Sequence, residues 1–326
     1  MTVKSAAILL AGGQARRMGG GDKNLIMLAG KPVLQHVLDR VDFETRPLMI
    51  NANGDPSRYA EYGLPVCADV IDGYAGPLAA LTGAQVYTSA AEAEHAKWLY
   101  ALTGEDFGNL LSETYHRYGL PVDTVNAART DGSRYRRNTA ALPELRLLEA
   151  GDEIKTSAGS WRIRTDKGHS DAQISLMDRE RGLFLSVDFL LPRISPNISA
   201  DIRDPDSDLL SAYFTYLKEM TELPADMQIF PGHDWPFRNG GVRAQQLIDH
   251  HNHRLDLLSA AAQKAPLTVW SAMDVLFGRT FGNHEMYFAS GEARAHLNYL
   301  VAVGRLHKRC DDLGTDIYEA QDVVSV

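Results

Sequence analysis

The segment Ala6-Ala7-Ile8-Leu9-Leu10-Ala11-Gly12-Gly13-Gln14-Ala15-Arg16-Arg17-Met18-Gly19-Gly20-Gly21-Asp22-Lys23 decides how the front of this chain is read. Ala6–Leu10 is continuously apolar, as in a strand buried on both faces, and Gly12-Gly13 stops it. A loop follows that holds five glycines once Gly12 and Gly13 are counted. Behind it Val33, Leu34, Val37, Leu38 and Val41 recur on one helical face, with Pro32 near the first turn, where a missing N–H does no harm. Pro47–Asn53 and Pro65–Val70 read as two further short strands. Strand, glycine loop, helix, strand, short link and strand predict the opening of a doubly wound α/β sheet.

The loop has the chemistry of a phosphate cradle. Backbone N–H groups approach phosphate oxygens closely only where no Cβ intervenes, and glycine also permits the positive φ angles a cradle needs. Arg16, Arg17 and Lys23 add cations that offset phosphate charge. Glycine-rich turns also serve packing alone, and the spacing is neither G-x-G-x-x-G nor G-x-x-x-x-G-K-[ST]. The glycines by themselves leave both readings open.

Beyond this segment, 326 residues suggest two or three domains. With 44% hydrophobic and 23% charged residues, disordered, collagen-like and fibrous classes are excluded. Residues 1–83 carry 8 basic and 8 acidic side chains, so the whole net charge of −9 lies after them. A nucleic-acid or anionic-membrane partner held by bulk charge is disfavoured, which leaves small molecules. Cys67 and Cys310, far apart, form no disulfide framework and suit a reducing compartment. The apolar start is too short to span a membrane and runs into glycines and arginines where a secretory signal wants a cleavage site. A cytoplasmic protein is expected.

Further along, Gly151–Ile154 and Trp161–Thr165 read as one hairpin, and Ile174–Met177 with Leu183–Val187 as a second around Arg179–Gly182. Leu209, Leu210, Tyr213, Phe214, Leu217 and Met220 follow helical spacing, with Asp206 and Ser207 as expected caps. Met227–Phe230 is a short strand leading to Pro231-Gly-His-Asp234. Three strand ends therefore present His169, Asp188 and His233, where a β framework places metal ligands. Each alone has an ordinary structural reading: a His after a Gly closes a turn, and an Asp at a strand end caps the next element. His250-His251-Asn-His253 lies in the helical stretch Val242–Leu258, where His250 and His253 share a face but His251 does not, and reads as a solvated or capping face. Trp235 and Trp270 read as core anchors.

Two resemblances follow from these residues. Leu10-Ala-Gly-Gly-x-Ala-Arg-Arg-Met-Gly-Gly-Gly-Asp-Lys23, Leu28-x-Gly-Lys-Pro-x-Leu-x-His-Val37, Ile50-Asn51-Ala-Asn, Ala68-Asp69 and Gly76-Pro-Leu-Ala79 resemble the molybdenum cofactor guanylyltransferase (MobA) family over about residues 4–82. The resemblance implies transfer of GMP from GTP to molybdopterin with Mg²⁺ and release of pyrophosphate. It implies that Leu10, Ala11, Gly12, Gly13, Asn51 and Asp69 line the nucleotide and that Lys23 is the catalytic, phosphate-contacting residue. The family's Cys-Asp-x-Pro-like turn, whose aspartate binds Mg²⁺, does not follow. Asp106 is the nearest acidic residue and reads as part of a helix link.

The second resemblance is to the metallo-β-lactamase fold, in its glyoxalase II-like hydrolases. It rests on Lys167-Gly-His-Ser-x-x-x-Ile174, Leu185-Ser-Val-Asp188, Leu191-Pro-Arg-Ile-Ser-Pro-Asn-Ile-Ser199, Phe230-Pro-Gly-His233 and His296-Leu-Asn-Tyr-Leu300. It implies that Asp188 bridges two zinc ions, with His169 on one and His233 on the other. The His-x-His-x-Asp-His motif that completes such a site is missing; only His36, His95 and His116 precede His169, and none has a second His within two positions. The expected fold is α/β: a truncated Rossmann-like nucleotidyltransferase half joined to a partial metallo-β-lactamase αββα sandwich with a helical carboxyl-terminal tail. The expected segments are 1–82, 83–260 and 261–326. Three functions remain in view: a guanylyltransferase-type protein of reduced or absent activity, a zinc hydrolase short of ligands, and an inactive fusion.

Overall fold

The structure, a computed structural model, describes residues 7–10, 25, 27–39, 48–51, 56–64, 66–67, 83, 85–131, 141–156, 159–279 and 281–321. It divides into two compact units, one of Met1–Val86 with Arg137–Pro143 and Lys155–Ser157, the other of Tyr87–Arg136, Glu144–Ile154 and Ala158–Val326.

The smaller unit is built on a parallel sheet. β1 (Ala7–Leu10) is followed by the short pair β2 (Met27–Leu28) and β3 (Lys31–Pro32), α1 (Val33–Leu38), β4 (Leu48–Asn51), a 3-10 helix (Pro56–Tyr62) and β5 (Val66–Cys67). β4 lies between β1 and β5, parallel to both, with Leu10 opposite Asn51 and Asn51 opposite Cys67. The alternation read from the sequence is thus realised as the expected α/β sheet. The expected helical face is narrower than its spacing suggests. Leu34 and Leu38 are buried with Ile50 and Tyr59, whereas Val37 is exposed. Val41 lies outside the described residues.

The larger unit begins with β6 (Val86–Thr88), α2 (Ala90–Ala101), α3 (Gly104–Arg117), α4 (Val122–Asp131) and β7 (Leu145–Leu147). Asp106 serves the start of α3. Its carboxylate accepts hydrogen bonds from the Thr103 N–H and hydroxyl, while its own N–H donates to Thr103 Oγ1, a capping box that holds the Asp106 carboxyl below its usual pKa.

β8 (Glu153–Thr156), β9 (Gly159–Asp166), β10 (Gln173–Asp178) and β11 (Leu183–Val187) come next, then α5 (Leu209–Met220) and β12 (Gln228–Pro231). They form a five-stranded sheet in the order β12-β11-β10-β9-β8. β10 is antiparallel to β9 and β11, and β12 is parallel to β11. α5 buries the apolar face expected of it, but its cap is Asp208, whose Oδ1 accepts from the Ser211 N–H at 3.0 Å, rather than Asp206 or Ser207.

The chain ends in α6 (Gly240–Ala262), α7 (Val269–Phe277), α8 (Asn283–Ala302) and the antiparallel pair β13 (Leu306–Cys310) and β14 (Asp316–Ala320). Side chains from Tyr115 through Tyr318 share one hydrophobic core. Among the described residues, no helix is long and apolar enough to cross a membrane.

One expectation is corrected by burial. Trp235 is 79% exposed and Trp270 39%, so neither anchors the core. Trp235 lies in the irregular stretch between β12 and α6, and Trp270 is the second residue of α7, beside the fully buried Val269. On α6, His253 is exposed and His250 half-buried, while His251, off their face, is fully buried and lies edge-on to Tyr213 and Phe214. The period of α6 turns His251 inward, toward α5 and α8.

Candidate functional site

Of the residues expected to bind nucleotide, Leu10 and Asn51 are described. They occupy one register row at the carboxyl ends of adjacent parallel strands, with Cys67 next in the row. Ala11, Gly12, Gly13, Lys23 and Asp69 lie outside the described residues.

The other candidate site is brought together by β9, β11 and β12. His169 lies just past β9, Asp188 directly follows β11, and His233 sits two residues beyond β12. Because β11 and β12 are parallel neighbours, their ends bring the last two side by side. His169 Nε2 is 3.9 Å from Asp188 Oδ2, and His233 Nε2 is 3.6 Å from Asp188 Oδ1. The sequence placed these residues 19 and 45 positions apart; the sheet makes them neighbours.

The backbone here is specialised. Val187 has φ 48°, in the left-handed region that a β-branched residue avoids, and the β11–β12 register is irregular between Leu185 and Val187. The Gly232 N–H donates to Val187 O at 2.7 Å. This approach turns the next residue, Asp188, against Gly232, where a Cβ would collide with Asp188 Oδ1.

Its neighbours orient His169: Nδ1 lies 2.8 Å from the Asn197 carbonyl, which can only accept, so Nδ1 carries a proton and Nε2 faces Asp188. Asp188 Oδ1 is buried without a hydrogen-bond partner. The imidazoles and the carboxylate thus face one another across gaps too long for hydrogen bonds.

A second polar cluster differs in kind. His95 Nδ1 lies 3.7 Å from Asp171 Oδ2 and 3.6 Å from Asp201 Oδ2. Among the described residues, this is the group whose three ligand atoms all lie within 4.8 Å of one another. The Arg203 guanidinium already bonds both carboxylates and lies over Trp98. Arg203 also holds the Asp201 carboxyl below its usual pKa, against the burial that would raise it. A cation is thus built into this cluster from the chain itself.

Sequence reasoning assigned no role to Asn197, Glu292 or the buried pair His251 and His296. Asn197 sits in a quoted motif, but nothing in its spacing reveals that its carbonyl orients a ring 28 residues away.

Comparison with known proteins agrees with both halves. Residues 7–104 match the MobA-like NTP transferase domain family, and residues 255–321 match the metallo-beta-lactamase-like, C-terminal domain family. A molybdenum cofactor guanylyltransferase of Bradyrhizobium sp. (strain ORS 278) is 52% identical over 80 residues, which are 24% of this chain and 38% of that protein. One from Shewanella woodyi is 48% identical over 90 residues, 28% of this chain and 46% of that protein. The chain thus spans less than half the length of these two relatives. One from Shewanella sediminis is 46% identical over 161 residues, 47% of this chain and 79% of that protein.

Two crystal structures share the fold. A beta-lactamase domain protein from Burkholderia ambifaria has a TM-score of 0.66 at 24% identity, covering 93% of this chain and 84% of its own. A metallo-beta-lactamase family protein from Thermus thermophilus has a TM-score of 0.64 at 24% identity, covering 81% of this chain and 84% of its own.

Proposed function

Because the chain belongs, through its amino-terminal part, to the molybdenum cofactor guanylyltransferase family, we propose that this part binds GTP in the way that membership implies. The observation that carries the proposal is the register row Leu10–Asn51 at the carboxyl edge of a parallel sheet. In doubly wound sheets, ligands bind outside the carboxyl ends of the strands, and the glycine loop leaves β1 at that edge. Backbone N–H groups of Ala11, Gly12 and Gly13 are the proposed cradle, Lys23 the proposed phosphate contact, and Asn51 and Asp69 the proposed guanosine contacts. GTP and molybdopterin are the proposed small-molecule substrates, and the cytoplasm the proposed location.

Transfer of GMP is proposed only at reduced rate. An attacking phosphate and a triphosphate repel each other, so in-line displacement wants a metal as well as a cationic loop. Asp106, the acidic residue nearest to the missing Mg²⁺ ligand in sequence, is already used in the capping box of α3. GTP is expected to bind saturably below millimolar concentration with weak dependence on Mg²⁺, as read by calorimetry. Lys23→Ala is expected to weaken binding about tenfold or more, in line with one lost charge-assisted hydrogen bond of ~1.5–3 kcal/mol. Absence of saturation at millimolar GTP, or an unchanged Lys23→Ala affinity, would remove the proposal or its lysine.

A second reading is favoured by the orphaned Asp188 Oδ1 and by His169, whose Nδ1–H contact leaves Nε2 facing Asp188. The donors fit a divalent transition metal: imidazole nitrogens and a carboxylate suit zinc. His169, Asp188 and His233 are the residues that would hold it. A zinc ion there would supply Lewis acidity. The two imidazoles approach different carboxylate oxygens, so each position is offered one nitrogen and one oxygen. A catalytic zinc keeps three protein ligands, so metal binding is proposed and hydrolysis is not. Gly232→Ala, by displacing Asp188, is expected to lower Zn²⁺ affinity about 100-fold or more, beyond the usual loss on disturbing a ligand's neighbour. Equal affinity in a Zn²⁺ titration would exclude Asp188 as a ligand.

A further inference from the structure

His169 is held by a carbonyl, and that carbonyl is held by α8. The Asn197 side chain is occupied on every side. Its Nδ2 donates to Glu292 Oε2 at 3.2 Å and to Phe288 O at 3.4 Å, and its Oδ1 accepts from the Ser199 hydroxyl. The same loop is tied again by the Ala200 N–H, which donates to Gly291 O at 3.0 Å. Gly291 is required for that approach, since a Cβ there would lie 2.9 Å from both Cβ and Oγ of Ser199.

Glu292 is itself buried, 8% exposed, and its other oxygen accepts from Arg254 of α6, whose guanidinium lies 5.1 Å from the Phe277 ring centroid. A buried carboxylate is costly to desolvate and persists only where its partners are good. Here the partners are one arginine and the amide of the residue whose carbonyl carries His169.

We infer that Glu292 is a positioning residue: by clamping Asn197 it fixes the Nδ1–H tautomer and the ring orientation of His169, and so directs Nε2 at Asp188. The inference rests on the metal-binding reading for its consequence, though not for its geometry. Partners that orient a metal-binding imidazole set both its tautomer and its basicity, and their loss usually lowers metal affinity 10–100-fold. Glu292→Gln keeps the shape but turns an amide N–H₂ toward Arg254 or Asn197, donor against donor, so the clamp opens at one end. Asn197→Ala removes the clamp and leaves the carbonyl. Because both act through one path, the double variant should lose no more than the worse single one.

The experiment uses the full chain with Zn²⁺ alone as probe, and reads His169 in the metal-free protein by nitrogen-15 NMR. The expected result is a 10–100-fold weaker Zn²⁺ affinity in Glu292→Gln and Asn197→Ala, non-additive in the double variant. The His169 Nδ1–H signal, protected in the wild type, should exchange rapidly with water in both. If wild-type chain binds no Zn²⁺ while the His169 signal still depends on Glu292, the metal reading falls and the positioning role stands. If Zn²⁺ affinity and the His169 signal are both unchanged in folded Glu292→Gln and Asn197→Ala, the inference is overturned. Should Glu292→Gln fail to fold, Asn197→Ala and Ser199→Ala carry the same comparison.

Discussion

Lowering the pH from 6.5 to 5 is expected to remove about 3 kcal/mol from the stability of the larger unit, through His251 and His296. Both rings are fully buried. His296 Nδ1 donates to Glu292 O at 2.8 Å, so its Nε2 is the acceptor, and His251 Nδ1 donates to it across 3.1 Å. That leaves the His251 Nε2 lone pair buried without a partner. Burial therefore holds the His296 pKa down to about 3 and pushes that of His251 well below its usual value, aided by the charge of Arg254 and the neighbouring imidazoles.

The direction follows from proton binding. The unfolded chain takes up protons on both rings below about pH 6.5 and the folded one does not, so stability falls with pH until the folded rings protonate. Each such histidine removes stability at a slope that approaches ~1.4 kcal/mol per pH unit well below pH 6.5. Urea midpoints at pH 7, 6.5, 5.5 and 5 measure the slope. The double variant His251→Phe/His296→Leu should be markedly shallower over that window, keeping the contribution of His250, which burial holds down to about 4; a wild type no steeper than the variant would mean that these rings are not held neutral.

The second large effect concerns Arg294, which is fully buried on α8. Its Nη1 donates to Asp316 Oδ2 at 2.6 Å, its Nη2 to Asp206, and its Nε to Pro205 O at 3.0 Å. The guanidinium lies between Tyr118 and Tyr318, 5.3 and 5.4 Å from their ring centroids. Asp316 is 3% exposed and keeps one other cation, Arg117, at 3.0 Å. Arg294→Ala should therefore destabilise by about 3–5 kcal/mol, because it strands a buried carboxylate and opens a cavity. It should appear as a lower urea midpoint at unchanged slope. Arg294→Met/Asp316→Leu, which removes both charges and refills the space, should lose less than the single variant. A loss under about 1 kcal/mol in Arg294→Ala would show that Arg117 suffices.

The local periods of the chain were legible in advance. The parallel strands flanking the glycine loop, the hairpin around Arg179–Gly182 and the apolar face of α5 all follow from spacing alone, because strand and helix repeat at fixed intervals whatever surrounds them. The three strand-end residues His169, Asp188 and His233 were legible as well, since turn chemistry marks where strands stop. Exposure of individual side chains was not legible. Trp235 and Val37 are apolar but face outward, whereas His251 is polar but lies inside, because burial depends on which neighbour a face meets.

Sequence by itself therefore determined two joined ancestries, the order of the elements and the polar residues at the strand ends. The tertiary structure alone decided how those residues stand: His169 and His233 near different oxygens of Asp188, a carbonyl from Asn197 behind one ring, and a buried carboxylate from Glu292 behind that. The physical reason is range. A repeat acts over a few residues of chain, whereas a tautomer and an ion pair are set by atoms within about 3 Å that come from positions as far apart as Arg117 and Asp316.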